Sequence, residues 1–275
     1  MQTPLKIKKA LRMLITLIGL YVLLCAVSCT FQRKLIYFPS KLNDGLAGIM
    51  AAREGFQPWK NEAGEIVGWK LPSRTSPTGS VLVVHGNAGS AVDRGYFAKP
   101  IHAASSVDVF ILEYPGYGAR SGSPSLKLFL AAADEAFVLL DQSKPIYIVS
   151  ESIGTGVAAH LAKTLSSDVA GLVLFAPFTN FKTVVQKNMP FLPVSLILLD
   201  RYDPEEWLKS YSGPVKFIVA ENDEIIPAKL GLKLHDEFGG PKNLEIIPGA
   251  RHNDVAAQSV DWWQSVFSFW QTNAR

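Results

Sequence analysis

Between residues 66 and 247 the apolar positions gather into short runs, each ended by small or turn-forming residues. Ile66 to Leu71 is one run, and Ser80 to His85 is another, closed by Gly86-Asn87-Ala88-Gly89. Val107 to Leu112 is closed by Pro115-Gly116-Tyr117-Gly118, and Pro145 to Val149, Val169 to Phe175, Val215 to Ala220 and Asn243 to Ile247 continue the series. Runs that are apolar on both faces predict strands buried on both faces, which need helices on each side of a largely parallel sheet. The intervening segments 91–105, 155–166, 228–238 and 254–270 supply helical candidates. Ser123-Pro124 predicts an N-cap with Pro at the first helical position, ahead of Phe129, Ala133, Phe137 and Leu140 at three- to four-residue spacing. The alternation predicts one α/β domain over 35–275, without internal repeats.

Two segments depart from this pattern. Residues 178–213 separate two strands by an unusually long connection, with an apolar helical candidate from Val194 to Leu199 and an acidic, aromatic turn from Asp200 to Trp207. Such a connection is either a lid over the site or a crossover helix with an elaborate loop. The other departure is the leader, 1–34. From Met13 to Phe31 there are 19 residues without a charge, about 28 Å as a helix, close to the ~30 Å hydrocarbon core of a bilayer. Lys6, Lys8, Lys9 and Arg12 precede the stretch and Arg33 and Lys34 follow it, a bias that predicts a cytoplasmic N-terminus and a folded body on the extracytoplasmic side. A cleaved signal peptide fits the same pattern. Ala26-Val27-Ser28-Cys29 also resembles the lipobox of bacterial lipoproteins, in which the Cys becomes lipidated. A retained transmembrane anchor and a lipidated Cys29 both tether the body to a membrane.

The leader also accounts for the formal charge of +3. It holds six basic residues and no acid, so the remaining 241 residues carry 21 basic against 24 acidic groups. A nucleic-acid binder would carry its basic excess on the folded body, so no nucleic-acid partner is expected. Both cysteines, Cys25 and Cys29, lie in the leader, which leaves the body without a thiol nucleophile or a thiolate metal site. No H-E-x-x-H, no paired Asp/His metal spacing and no G-x-G-x-x-G after the first strand appears, so neither a metal nor a dinucleotide cofactor is expected.

Candidate chemistry sits where strands end, the edge at which open parallel sheets bind ligands. Ser150-Glu151-Ser152-Ile153-Gly154 follows one strand and precedes a helix; it reads as G-x-S-x-G with Ser in place of the first Gly. The residues two before and two after the central Ser must be tiny for helix and strand to pass closely, so size and not hydroxyl chemistry is expected to matter at Ser150. Asn222-Asp223-Glu224 follows the strand at 215–220, and Gly249-Ala250-Arg251-His252 follows the last strand. Nucleophile Ser152, acid Asp223 and base His252 thus occur in the chain order of an α/β-hydrolase triad, not in that of chymotrypsin or subtilisin. Asp200, Asp203 and Glu221 are rival acids, less well placed. An oxyanion needs two backbone N–H donors; Ile153 supplies one, and Asn87 or Ala88 in His85-Gly86-Asn87-Ala88-Gly89 supplies the other. His85 is expected to order that loop, and His102, His160 and His235 to pack on helices or lie at the surface.

From about Gln32 to the last helix the chain resembles the membrane-associated α/β-hydrolase serine hydrolases of the Bem46 type. The resemblance rests on Arg33-Lys34-Leu35-Ile36-Tyr37-Phe38-Pro39, His85 to Gly89, Tyr114-Pro115-Gly116-Tyr117-Gly118, Ser121 to Ser125 and Ser152. It extends through Phe191-Leu192-Pro193-Val194, Asp200-Arg201-Tyr202-Asp203, Asp223 with Pro227, and Gly249 with His252-Asn253-Asp254. Proteins of this kind are similar to esterases, acyl thioesterases and serine peptidases of the prolyl-oligopeptidase type. The resemblance implies the α/β-hydrolase fold and a small-molecule or lipid-like acyl substrate, cleaved as an ester or thioester through an acyl-enzyme. Peptidase or amidase action is the alternative within the fold, and an inactive membrane-tethered binding protein is the alternative outside enzymes. Ser150 and Arg251 depart from the pattern, each standing where a Gly is usual; Arg251 places a positive charge beside the base or points it to solvent.

Overall fold

The computed structural model describes residues 4–274; residues 1–3 of the expected leader and Arg275 lie outside the described residues. An eight-stranded sheet forms the centre: β1 (Gln57–Lys60), β2 (Ile66–Leu71), β3 (Gly79–Val84), β4 (Val107–Leu112), β5 (Ile146–Glu151), β6 (Val169–Phe175), β7 (Val215–Ala220) and β8 (Lys242–Ile247). Its spatial order is β1-β2-β4-β3-β5-β6-β7-β8, antiparallel over β1, β2 and β4 and parallel from β4 onward. This is the α/β-hydrolase architecture. All residues of β3 and β7 are buried, as strands covered on both faces require.

The central strands send alternate residues to two separate cores. Leu82 and Val84 face one, filled by Phe129 and Phe137 of α4 (Leu126–Val138), Val157 and Leu161 of α5 (Gly154–Thr164) and residues of the insertion. Val81 and Val83 face the other, filled by Phe97 of α3 (Gly95–Ala104) and Trp263 and Trp270 of the last helix (Val260–Thr272).

The helix starts depart from the expected ones for a capping reason. α4 begins after Ser125, whose hydroxyl accepts from Leu128 N at 3.2 Å, so Ser123-Pro124 stays in the preceding loop. The last helix begins at Val260 and not at 254, because Ser259 caps it through Trp262 N while His252–Asp254 form a separate 3-10 turn. Among the elements that escaped the pattern are α2 (Asp44–Glu54), capped by Asn43 and ended by Gly55 at φ 82°, the short edge strand β1, and the helix that opens the insertion at Phe181–Asn188.

The insertion contains α6 (Phe181–Asn188), α7 (Val194–Ile197) and α8 (Pro204–Trp207). The leader is a single helix, α1 (Pro4–Ile36), running unbroken through the boundary expected at residue 34. Lys6–Ile36 is long and apolar enough to cross a membrane by length and composition, and almost none of it is buried. Its last turn docks on the body: Arg33 pairs with both oxygens of buried Asp200, and Tyr37 bonds both Asp200 and Tyr202 at 3.0 Å. Beyond it, Phe38–Pro39 pairs in parallel with Ala88–Gly89, so the exit from α1 is hydrogen-bonded to the turn after β3.

Candidate active site

Three side chains from three strand ends converge. Ser152 follows β5 in the left-handed region, φ 53°, a conformation that costs a non-glycine residue of order 1–3 kcal/mol. The turn is held from both sides: Ser152 N donates to Phe175 O at 2.9 Å, and Ser152 O accepts from Thr155 N at 2.9 Å and its hydroxyl at 2.7 Å. Gly154 is dictated by packing, since a Cβ there would stand 2.2 Å from Val84 O and 2.6 Å from His85 O. Ser150 fits where Gly is usual because its buried hydroxyl donates to Val173 O at 3.0 Å. Its hydroxyl therefore has a bond to keep, contrary to the expectation that only size matters there.

His252 Nε2 lies 3.0 Å from Ser152 Oγ, and its Nδ1 lies 2.8 Å from Asp223 Oδ2. Asp223 Oδ1 accepts from Ile225 N at 2.9 Å and Ile226 N at 2.6 Å, so the carboxylate is fixed by two backbone donors as well as the imidazole. All three residues are buried. The rival acids are engaged elsewhere: Asp200 by Arg33 and Tyr37, and Glu221 by Gly249 N at 2.8 Å, while Asp203 precedes α8. Arg251 points away, with its side chain two-thirds exposed and its guanidinium 3.3 Å from Glu224.

The turn after β3 is tightly held. Asn87 O accepts from Phe38 N at 2.9 Å and the Tyr117 hydroxyl at 2.8 Å, and its side chain donates to Ile36 O at 2.6 Å. The backbone N–H groups of Asn87 and Ile153 have no acceptor among the described residues. His85 is fully buried against Tyr114 and Tyr117, with Nδ1 2.8 Å from Gly86 O; burial holds its pKa well below the usual value, and the ring stays neutral. His102 meets Pro72 O at 2.9 Å, His160 meets Asp134 at 2.9 Å and His235 neighbours Asp236, none of them near Ser152.

A cavity of about 520 Å³ opens over Ser152. One wall is apolar, built by Leu35 and Ile36 of α1, Val184, Val185 and Met189 of the insertion, and Ile226. The other is polar, with Arg94, Glu151 and Asn253, and Tyr96 bonds Glu151 at 2.7 Å. The contribution of α1 is not legible in the sequence, although the phrase Arg33 to Pro39 is what ties the leader to the site. With a hydrogen-bonded Ser-His-Asp chain at the floor of a cavity, the arrangement can generate a serine nucleophile, transfer its proton and form an acyl-enzyme.

Comparison with known proteins agrees. The family model described as serine aminopeptidase, S33, matches residues 75–210, a span that holds Ser152 but ends before Asp223 and His252. The Mycobacterium tuberculosis protein Rv2307c is 33% identical over 231 residues, covering 81% of each chain. The lysophosphatidylserine lipase ABHD12 of Danio rerio is 30% identical over 207 residues, 68% of this chain and 54% of that one, so the chain spans about half its length. Among solved structures, the Pyrococcus furiosus esterase Pf2001 superposes with a TM-score of 0.62 at 14% identity, covering 87% of this chain and 98% of that one, a likeness of fold alone. The strand order and the triad geometry make the protein a serine hydrolase of the α/β-hydrolase superfamily, and the extent of its identity to Rv2307c places those two chains in one family.

Proposed function

We propose that the protein is a membrane-tethered hydrolase of the Bem46 branch that cleaves acyl esters or thioesters of lipid-like substrates. One observation carries this reading: the apolar wall of the cavity over Ser152 is built partly from the last turn of a helix long enough to span a bilayer. The Arg33 to Pro39 phrase and its pairing with the turn after β3 support the branch, and the name of the zebrafish relative supports a lipid ester.

In this reading His252 Nε2 takes the Ser152 proton as Oγ attacks the acyl carbonyl, and Asp223 holds the imidazole with its Nδ1–H toward the carboxylate. The N–H groups of Ile153 and Asn87 stabilise the oxyanion. The imidazolium returns its proton to the departing alkoxide or thiolate, and water repeats the sequence to release the acid. The tether is read as a retained helix, with lipidation at Cys29 the alternative; the bond from Tyr21, upstream of that residue, to Phe191 O at 3.0 Å supports the retained form. The body then lies on the extracytoplasmic side by the distribution of leader charges.

Fluorophosphonate labelling followed by rates on p-nitrophenyl acyl esters and on aminoacyl amides tests the chemistry. Labelling at Ser152 with ester turnover well above amide turnover is expected. Faster amide turnover would replace the esterase reading with the peptidase one that the matched family's description suggests.

A further inference from the structure

Residues 190–199 of the insertion contain no charge, and Ser195 is their one polar residue. The stretch does not turn wholly inward: Val194 and Leu198 are buried, whereas Phe191, Leu196 and Leu199 are 83%, 82% and 60% exposed. It lies along α1. Besides the Tyr21 bond to Phe191 O, Gln32 Nε2 donates to Ile197 O at 2.9 Å and Gln32 Oε1 accepts from Leu199 N at 2.8 Å. Tyr21 is twelve residues before Arg33, about 18 Å along the helix axis. A span ending at Arg33 would therefore hold Phe191 beside it at the depth of the acyl chains, below the headgroups.

Irregular backbone survives at that depth only when its polar groups are satisfied within the protein. Here they largely are. Gln186 donates to Pro190 O and Leu192 O, Tyr21 to Phe191 O, Leu196 N to Pro193 O and Leu198 N to Val194 O. Arg201, at the body end, reaches back to Ser195 O at 2.9 Å and Leu198 O at 3.0 Å, and two of the ten residues are prolines, which have no N–H to satisfy. A solvent-exposed loop needs no such provision, since water satisfies its carbonyls.

Between this stretch and α1 runs a narrow apolar fissure of about 20 Å³, bordered by Leu192 and Ile197 on one side and Gln32 on the other. Leu35, Ile36, Val185 and Met189 line both the fissure and the cavity over Ser152. Resting on the membrane-tethered hydrolase reading, we propose that residues 190–199 are embedded in the leaflet adjoining the catalytic body, and that the fissure is the passage by which the acyl chain of a bilayer lipid reaches Ser152. The passage is closed in this structure; Met189, unbranched and flexible, is the side chain best able to swing aside for a chain to pass.

The test uses the full chain in phosphatidylcholine vesicles. A fluorophore on Leu196→Cys, with Cys25→Ser and Cys29→Ser, reports depth through quenching by lipids spin-labelled on the acyl chain. The double variant Phe191→Glu/Leu196→Glu, altered only at exposed positions, reports passage by its rates on soluble p-nitrophenyl butyrate and on monoacylglycerol held in the vesicles. Embedding predicts acyl-chain quenching, a soluble rate within about twofold of wild type, and a vesicle rate lower by on the order of tenfold or more. Quenching by aqueous iodide alone overturns embedding whether or not the double variant folds. Rates that fall together, or a wild type active on the soluble ester and inactive on monoacylglycerol, overturn the passage. Absence of fluorophosphonate labelling in wild type would instead remove the hydrolase reading, and the quenching still decides embedding.

Discussion

At the residue scale, the two serines flanking Glu151 do different work. Ser152 stands where its oxygen meets His252; Ser150 lies two residues earlier in β5 with its hydroxyl turned to Val173 O. Ser152→Ala is therefore expected to abolish labelling and turnover with the fold intact, a loss on the order of 10⁶ if this triad behaves as a unit, and adding His252→Ala should cost little more. Asp223→Asn should cost on the order of 10⁴ by presenting the wrong tautomer to the serine. Ser150→Ala loses one buried hydrogen bond and should cost about 1 kcal/mol of stability with turnover retained. Ser150→Gly adds backbone freedom within a strand and should cost more than the alanine variant. Gly154→Ala is the severe change at the elbow, because its methyl would overlap the carbonyl oxygens of Val84 and His85 at the end of β3. Steady-state ester hydrolysis and thermal melts of these variants separate the roles: retained turnover in folded Ser152→Ala would overturn the elbow.

At the scale of elements, α1 and the insertion act together. Arg33, Tyr37 and Gln32 hold the insertion at Asp200, Ile197 and Leu199, while Ile36 and Phe38 hold Asn87. A chain beginning at Gln32 keeps these bonds and should be soluble and active on short esters. One beginning at Lys41 loses them, and its turnover on the same ester should fall by on the order of tenfold or more, since the proposed oxyanion donor at Asn87 loses its supports. Equal turnover of the two truncated chains would show that the exit from α1 plays no part in positioning that turn. Much of this arrangement was legible in the sequence. The buried strands announced themselves because burial on both faces leaves apolar runs, and Ser152 and Asp223 were visible because each follows such a run; His252 follows β8, an edge strand with no buried residue, so the run at 243–247 marks a strand but not one covered on both faces. The edge strand β1 was not, since Gln57-Pro58-Trp59-Lys60 has only Trp59 buried. The joint wall of α1 and insertion was hidden for another reason: Gln32 and Ile197 are 165 residues apart, and no local period reports a contact at that separation.

At the scale of the whole molecule, stability carries the signature of two buried ionisable groups beneath the site. Glu113 is almost fully buried, and burial pushes its carboxyl up to about 7 from an ordinary 4.5, despite the Ala91 N–H at 3.0 Å that favours its charge. His85 Nε2 lies 4.0 Å from it, with a pKa lowered by burial. The two groups act in opposite directions. Glu113 binds its proton more tightly when folded, so its contribution is fully present below about pH 4.5 and is lost as pH rises through about 7. His85 binds a proton less tightly when folded, so its contribution is present above about 6.5 and is lost as pH falls below that value. Between the two unfolded values the slopes largely cancel, and wild type should show little net dependence from this pair. Glu113→Gln keeps the shape of the protonated side chain and cannot ionise, which isolates the carboxyl. The stability of Glu113→Gln relative to wild type should therefore rise from pH 4.5 to about 8 and level off above it, by about 3 kcal/mol in all. In a domain of this size that is on the order of 5–10 °C in melting temperature. Thermal melts of both proteins across pH 4.5–9 check it, and a difference that stays flat across that range would mean that Glu113 ionises in the folded protein as readily as in the unfolded chain.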